Sequence, residues 1–266
     1  MKISIARHGH YRREEGRVST GHITPEGSQK IIDFIVKTLD DLGQTTDINK
    51  IVFGIAASPT YWLNNKDYGQ RAVDTAKIYK TAITSYLKKY YGLSHEESQS
   101  RIIDLDKSIS YDLREPNYHA KAKNLIKRFE EIYGGKSDDR FWHALAKITS
   151  EEILEFGGSP DVESSIEVAQ RVARAFIKVQ EWSKRFTEQS GMDTFTFLVT
   201  HGETLDSFLY KMGIDAETSY NQGIILELKE DEATIISSNI TGKVQVTQPK
   251  QEFEDKLNQV ERGNCD

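Results

Sequence analysis

Lys2-Ile3-Ser4-Ile5-Ala6-Arg7-His8-Gly9 is the stretch from which the fold of this chain can be read. Lys2 to Ala6 has the pattern of a short strand, with Ile3 and Ile5 on one face. Arg7-His8-Gly9 then stands where the strand should end, and strand ends are where an open α/β sheet places its chemistry. A histidine can act there as nucleophile, base or ligand near neutral pH. Arginine holds an oxyanion or phosphate through a planar fork, and glycine lets backbone and ligand approach closely. A tripeptide alone is weak evidence, so the reading depends on the partners that the rest of the chain supplies.

The 266 residues carry 35 Lys and Arg against 41 Asp and Glu, a formal net charge of −6. That length makes one large domain or two small ones and can bury a full core without staples. A mildly acidic chain does not have the charge of a general nucleic-acid binder. The single cysteine, Cys265, rules out a disulfide framework within the chain. No apolar run approaches membrane-spanning length, and Arg7 and His8 interrupt any signal-peptide core at once. The expectation is a cytoplasmic protein with no nucleic-acid partner, no membrane partner and no cofactor.

Further along, Thr24-Pro25-Glu26 opens a helix: Thr24 can cap it, Pro25 suits its first position and Glu26 favours its dipole. Ile31, Phe34, Ile35, Leu39 and Leu42 recur at helical spacing up to Gly43. Lys50 to Ala57 reads as a second strand, stopped by Ser58-Pro59. Tyr61 to Gly69 is an aromatic and polar excursion, Gln70 to Tyr90 a long helix, and Arg101 to Leu105 a third strand. Residues 106–160 have little strand character and hold helical patches over Lys121 to Tyr133 and Arg140 to Phe156, which reads as an inserted cap. Val162 to Glu188 is a long amphipathic helix, Thr194 to Thr200 a strand, Glu203 to Met212 a helix, and Ile224 to Leu228 with Thr234 to Ser238 a closing strand pair. Residues 249–266 read as a charged tail or helix after a single domain over 1–248. Strands alternating with helices predict an α/β three-layer sandwich: a mostly parallel central sheet with helices on both faces and a helical cap insertion.

The tripeptide finds its partners in this scheme. Phe195 to Thr200 is a strand followed by His201-Gly202-Glu203 and a helix, so two strand ends each present a His-Gly step. Arg71 opens the long second helix, and an arginine at a helix N-terminus makes an anion site. Glu115, in Leu113-Arg114-Glu115, is a candidate acid at the edge of the insertion, with Asp104, Asp106 and Asp112 nearby in sequence. Two arginines, two histidines, helix N-termini and an acid compose a pocket for a tetrahedral anion that needs no metal.

On these residues the chain resembles the histidine phosphatase superfamily, the phosphoglycerate-mutase-like fold. The family's strand then Arg-His-Gly stands as Ile3 to Gly9, and its Leu-Thr-x-x-Gly-x-x-Gln helix start as Ile23 to Gln29. Its Ser-x-x-x-Arg-Ala-x-x-Thr-Ala motif appears as Ser58 and then Arg71 to Ala76. The late Thr-His-Gly is Thr200-His201-Gly202, and Asn221-Gln222-Gly223 approximates the Asn-Gly step before the final strands. The resemblance implies that His8 takes up the phosphoryl group as phosphohistidine. It also implies that Arg7, Arg71 and His201, with Gly202 beside them, bind the phosphate, and that Glu115 protonates the leaving alcohol. The substrate so implied is a small phosphorylated molecule, with a phosphoprotein as the other candidate.

The chain departs from the family pattern in three places. Glu14 stands where the family often has asparagine. Ser58 and Arg71 are thirteen positions apart rather than four, which brings Tyr61, Trp62 and Tyr68 towards the expected rim. The segment after Glu115 lacks the glycine-rich run of the glycolytic mutases. A phosphatase therefore ranks ahead of a phosphoglycerate-type mutase, and a catalytically weak scaffold on the same fold is a further alternative. His8-x-His10 also matches the first strand end of metal-dependent hydrolase barrels, a reading that needs more histidines and an aspartate at later strand ends.

Overall fold

A computed structural model describes residues 1–10, 23–63, 66–68, 70–116, 123–133, 141, 144–214, 218, 220, 222–238 and 245–264. A seven-stranded sheet forms its middle layer. In sequence order the strands are β1 (Lys2–Arg7), β2 (Ile51–Ala57), β5 (Ile102–Asp104), β6 (Asp193–Thr200), β7 (Gly223–Leu228), β8 (Glu232–Ser238) and β9 (Gln245–Pro249). The short strands β3 (Tyr61–Leu63) and β4 (Lys66–Tyr68) pair with each other in a separate two-stranded sheet. Across the large sheet the order is β5-β2-β6-β1-β7-β8-β9. The first four run parallel, and β7, β8 and β9 continue as an antiparallel edge.

Alternation along the strands divides the core in two. Ile3, Ile5 and Leu198 point to one face. There they meet α7 (Ser165–Ser190), α8 (Gly202–Lys211) and α4 (Lys107–Asp112) through Val172, Phe176, Leu205, Phe208 and Ile109. Phe53, Phe195, Phe197 and Val199 point to the other face, against α1 (Pro25–Gly43) and α2 (Gln70–Tyr91) through Ile31, Ile35, Ala72 and Tyr79. The α/β, three-layer expectation, with parallel central strands and helices on both faces, is what the structure has.

Local chemistry explains the element ends. Thr24 Oγ1 accepts from the Gly27 N–H at 2.9 Å, and Pro25 fills the first helical position. At Gly27 a Cβ would lie 2.4 Å from the His10 carbonyl oxygen, so a glycine lets α1 start against the loop leaving β1. Helix α3 (His95–Ser100) begins with a capping box between Ser94 and Glu97.

Two segments differ from the sequence reading. The patch expected as helix over Arg140 to Phe156 is interrupted: residues 146–147 turn, and Thr149 caps a new helix, α6 (Ser150–Glu155), through a capping box with Glu152. It joins α5 (Lys123–Tyr133) in a third apolar cluster built from Leu125, Phe129, Phe141, Leu145, Ile148 and Ile153, separate from the two sheet-face cores. The second difference is at the C-terminus. Lys250–Arg262 is a helix, α9, and β9 precedes it. Although charged, α9 turns Phe253, Leu257 and Val260 into the same core as Ile3 and Ile5. Leu257→Ala should therefore lower the unfolding free energy by about 2–5 kcal/mol in urea titration. A loss below about 0.5 kcal/mol, the range of an ordinary surface change, would show that α9 is dispensable to the core.

Candidate active site

Three parallel strands end at one level and line up the site. Arg7 pairs with Thr200 and Ala57 with Val199 in register. The pairing runs on past the strands: His8 N–H donates to the Thr200 carbonyl at 2.9 Å, and Ser58 N–H to the Val199 carbonyl at 2.8 Å. His8, Ser58 and His201 are thereby set side by side at the carboxyl ends of β1, β2 and β6.

His8 is 2% exposed. Its Nδ1 lies 2.9 Å from the Gly9 carbonyl oxygen. A carbonyl only accepts, so Nδ1 carries the hydrogen and Nε2 the lone pair. Burial holds the ring's pKa well below the usual 6.5, and the charges of Arg71, His201 and Arg7 push it the same way. The His8 and His201 rings meet edge to face with centroids 5.1 Å apart. The Gly9 N–H donates to Thr75 Oγ1 at 3.0 Å, and Thr75 Oγ1 donates to the Arg71 carbonyl at 2.8 Å, which ties the His8 loop to the first turns of α2.

Arg7 donates through Nη1 to the Thr218 carbonyl at 2.9 Å, and its guanidinium lies 4.3 Å from the centre of the Tyr220 ring. Its buried Nε makes no hydrogen bond among the described residues. Buried donors are normally satisfied, and an oxyanion is the natural acceptor for a guanidinium. Gly202 makes room for this arginine, since a Cβ there would sit 2.8 Å from Arg7 Nη1. Arg71 comes from the start of α2, with its Nη2 3.6 Å from Glu115 Oε1. His201 precedes α8, its Nε2 3.0 Å from Ser58 Oγ and its Nδ1 3.8 Å from Glu115 Oε2. The positive ends of α2 and α8 both face this group.

Glu115 is 6% exposed, and its loop is pinned from several sides. Thr200 Oγ1 donates to the Leu113 carbonyl at 2.7 Å and Thr204 Oγ1 to the Arg114 carbonyl at 3.1 Å. Arg171 Nη1, from α7, donates to the Asp112 and Arg114 carbonyls at 2.8 and 3.2 Å. The three aspartates near it in sequence are engaged elsewhere. Asp104 is exposed and pairs with Lys80. Asp106 caps α4 through the Ser108 N–H, which holds its carboxyl below the usual range. Asp112 pairs with Lys178 at 2.7 Å.

The structure thus gathers Arg7, His8, Arg71, Glu115, His201 and Gly202 in one place. It also brings in Ser58, despite the long separation from Arg71. The β3–β4 hairpin occupies that separation, so Ser58 stays at the strand end while Arg71 stays at the helix start. Thr75, Thr218, Tyr220 and Asp206 belong to the surroundings and were not singled out in the sequence. Of these only Thr75 carried a signal, as the threonine of the Arg-Ala-x-x-Thr-Ala motif. His10 is exposed, with its ring against Tyr220. Among the described residues no group of three or more His, Cys, Asp or Glu side chains is arranged to hold a metal ion, and no helix is long and apolar enough to cross a membrane. Glu14, His119, Trp142, His143 and Asn221 lie outside the described residues, as do the side chains of Tyr61, Trp62 and Tyr68.

No family model matches the sequence, and no curated protein matches it. Among solved structures the chain is similar to mycobacterial hydrolase 2, at 12% identity over 97% of this chain and 96% of that one, with a TM-score of 0.49. It is similar to the mycobacterial glucosyl-3-phosphoglycerate phosphatase, at 14% identity over 85% and 89% with a TM-score of 0.45. It is also similar to phosphoglycerate mutase from Bacillus anthracis, at 14% identity over 97% and 96% with a TM-score of 0.42. Likenesses this distant carry no argument about activity, which rests on the site itself.

Two outcomes follow from this geometry. Ring-nitrogen NMR at pH 6.5 should show His8 neutral and protonated on Nδ1; an imidazolium there would overturn the assignment. The sign for stability is set by the same depression. The unfolded chain takes up a proton as pH falls through 6.5 and the folded ring does not, so this buried imidazole costs stability on the acid side. Gly202→Ala should leave the fold intact, push the Arg7 side chain aside and weaken vanadate binding by roughly tenfold, the worth of one hydrogen bond to a charged group. Unchanged vanadate affinity would remove Arg7 from the anion site.

Proposed function

We propose that the protein is a phosphatase that hydrolyses phosphate monoesters through a phosphohistidine on His8, without a metal. The observation that carries this reading is the buried, neutral His8 ring. Its hydrogen bond to the Gly9 carbonyl leaves the Nε2 lone pair as the reactive one, in a setting ringed by Arg7, Arg71 and His201. A buried histidine kept only for packing needs no such surround of cationic donors.

In the first step the Nε2 lone pair attacks phosphorus, the bond from phosphorus to the ester oxygen breaks, and Glu115 gives its proton to the departing alkoxide. Phosphoryl transfer asks chiefly for positioning and charge stabilisation. Arg7, Arg71 and the His201 ring supply both at the three non-bridging oxygens. An incoming phosphate competes with Glu115 for the Arg71 guanidinium. The negative charge it brings favours a proton on the carboxyl that must donate one. In the second step water attacks phosphorus, Glu115 takes its proton, and the electron pair of the N–P bond returns to Nε2. The net change is ester plus water to alcohol plus inorganic phosphate, with both residues restored. A mutase would instead return the phosphoryl group to a second oxygen of the substrate. The protein would act on a small phosphorylated molecule within the cytoplasm, residues 106–160 forming a cap on the domain.

Turnover of an aryl phosphate should survive excess chelator, disappear in His8→Ala, and leave acid-labile, base-stable phosphate on His8 when quenched. Glu115→Gln should slow hydrolysis of an alkyl phosphate by about 10²–10⁴-fold, the range for a positioned general acid. It should spare the nitrophenol burst from an activated nitrophenyl ester, whose leaving group needs little help, while the phosphoenzyme left behind loses the base for water attack. Equal rates for wild type and Glu115→Gln on both esters would reject the acid assignment, and turnover retained in His8→Ala would reject the phosphohistidine.

A further inference from the structure

Next to Arg7, joined to it through Thr218, lies a buried carboxylate that the steps above do not use. Asp206 is 6% exposed and stands on α8 four residues after Gly202, on the same helix face. That face thus offers Arg7 the space of a glycine and, one turn later, a negative charge. Asp206 Oδ1 accepts from the Thr218 N–H at 3.1 Å and from Thr218 Oγ1 at 2.7 Å. The carbonyl of the same Thr218 accepts from Arg7 Nη1 at 2.9 Å. Both donors of Thr218 are therefore held by one carboxylate oxygen, and its acceptor is turned to the guanidinium.

We propose that Asp206 is a positioning residue for Arg7, acting through Thr218 to hold the guanidinium at the angle from which it meets the phosphoryl oxygens. The proposal rests on the phosphate-binding role given to Arg7 above. A chain of hydrogen bonds ending on a buried charge fixes a geometry more firmly than a solvated arginine would hold it. A long, flexible side chain otherwise loses entropy each time it binds. The groups facing the carboxylate are consistent with such a balance. Burial raises the Asp206 pKa to about 7, the Thr218 hydrogen bonds and Arg7 lower it, and Glu203, from the first turn of α8, raises it. Thr218 and Arg7 recover only part of what burial and Glu203 cost, and the two hydrogen bonds from Thr218 tie the carboxyl to this one arrangement.

The test is a double-mutant cycle read by calorimetric binding of inorganic vanadate, with aryl phosphate turnover measured alongside. At pH 8, above the Asp206 pKa, Asp206→Asn keeps the shape and removes the charge, and should weaken vanadate binding about tenfold where Arg7 is present. In an Arg7→Ala background the same substitution should cost nothing further, because its effect passes through Arg7. Thr218→Val, which deletes the hydroxyl donor at constant shape, should show the same non-additivity and serves if Asp206→Asn does not fold. A merely structural role would cost the same in both backgrounds, and that additivity would overturn the proposal. A wild type that binds vanadate but turns over no ester would refute the phosphatase reading while the cycle still decides the role of Asp206. A wild type that binds no oxyanion would overturn both.

Discussion

The parallel pairing of β1 with β6 is the constraint on which the site depends. A register with Arg7 opposite Thr200, continued by the bond from His8 N–H to the Thr200 carbonyl, brings two histidines that are remote in sequence to a ring separation of 5.1 Å. A slip of one residue would turn Ile3 and Ile5 away from the helices they pack on, since the side-chain period of a strand is two. The apolar burial that fixes the register therefore also fixes the distance between the two rings. β2, on the other side of β6, is held by the same logic and delivers Ser58 to His201.

Charge is the second constraint. Two guanidinium groups, two imidazoles and two carboxylates lie in or beside a largely buried space, where an unpaired charge would be expensive. The cations are divided between tasks. Arg71 reaches Glu115, while Arg7 is held by Thr218 and Tyr220 and keeps Nε without an acceptor among the described residues. Burial first, and then their field, lowers the His8 pKa well below its usual value. A nucleophilic imidazole would need the neutral state, and the field that adds to it is the one that would attract a phosphate.

Much of this was legible in the sequence because the chemistry sits on short motifs at element ends. Arg7-His8-Gly9 and His201-Gly202 both follow strands whose alternation is plain, and Thr24-Pro25 marks a helix start by capping chemistry alone. What was not legible lies in long-range contacts. The docking of α9 was obscured because its three buried residues, Phe253, Leu257 and Val260, are set among charges, so neither a tail nor a helix there announced a place in the core. Ser58 looked displaced because counting along the chain does not see a hairpin that leaves and returns. Asp206 and Thr218 carried no motif at all. Their connection to Arg7 exists only once α8 is docked beside β1, and an aspartate inside a helix reads as an ordinary solvated charge until that docking is known.

The way Glu115 is held separates the chemistry from what surrounds it. Its loop is fixed by Thr200 of β6, Thr204 of α8 and Arg171 of α7, elements of the sheet and of the layer packed on it. The helices that follow, α5 and α6, build their own apolar cluster instead of extending the main core. Interiors are close-packed, so a change of volume inside one cluster is felt first by its own members. Under the proposed reading, the geometry between His8 and Glu115 is set by the sheet and the layer packed on it, while the helices after Glu115 answer to a core of their own.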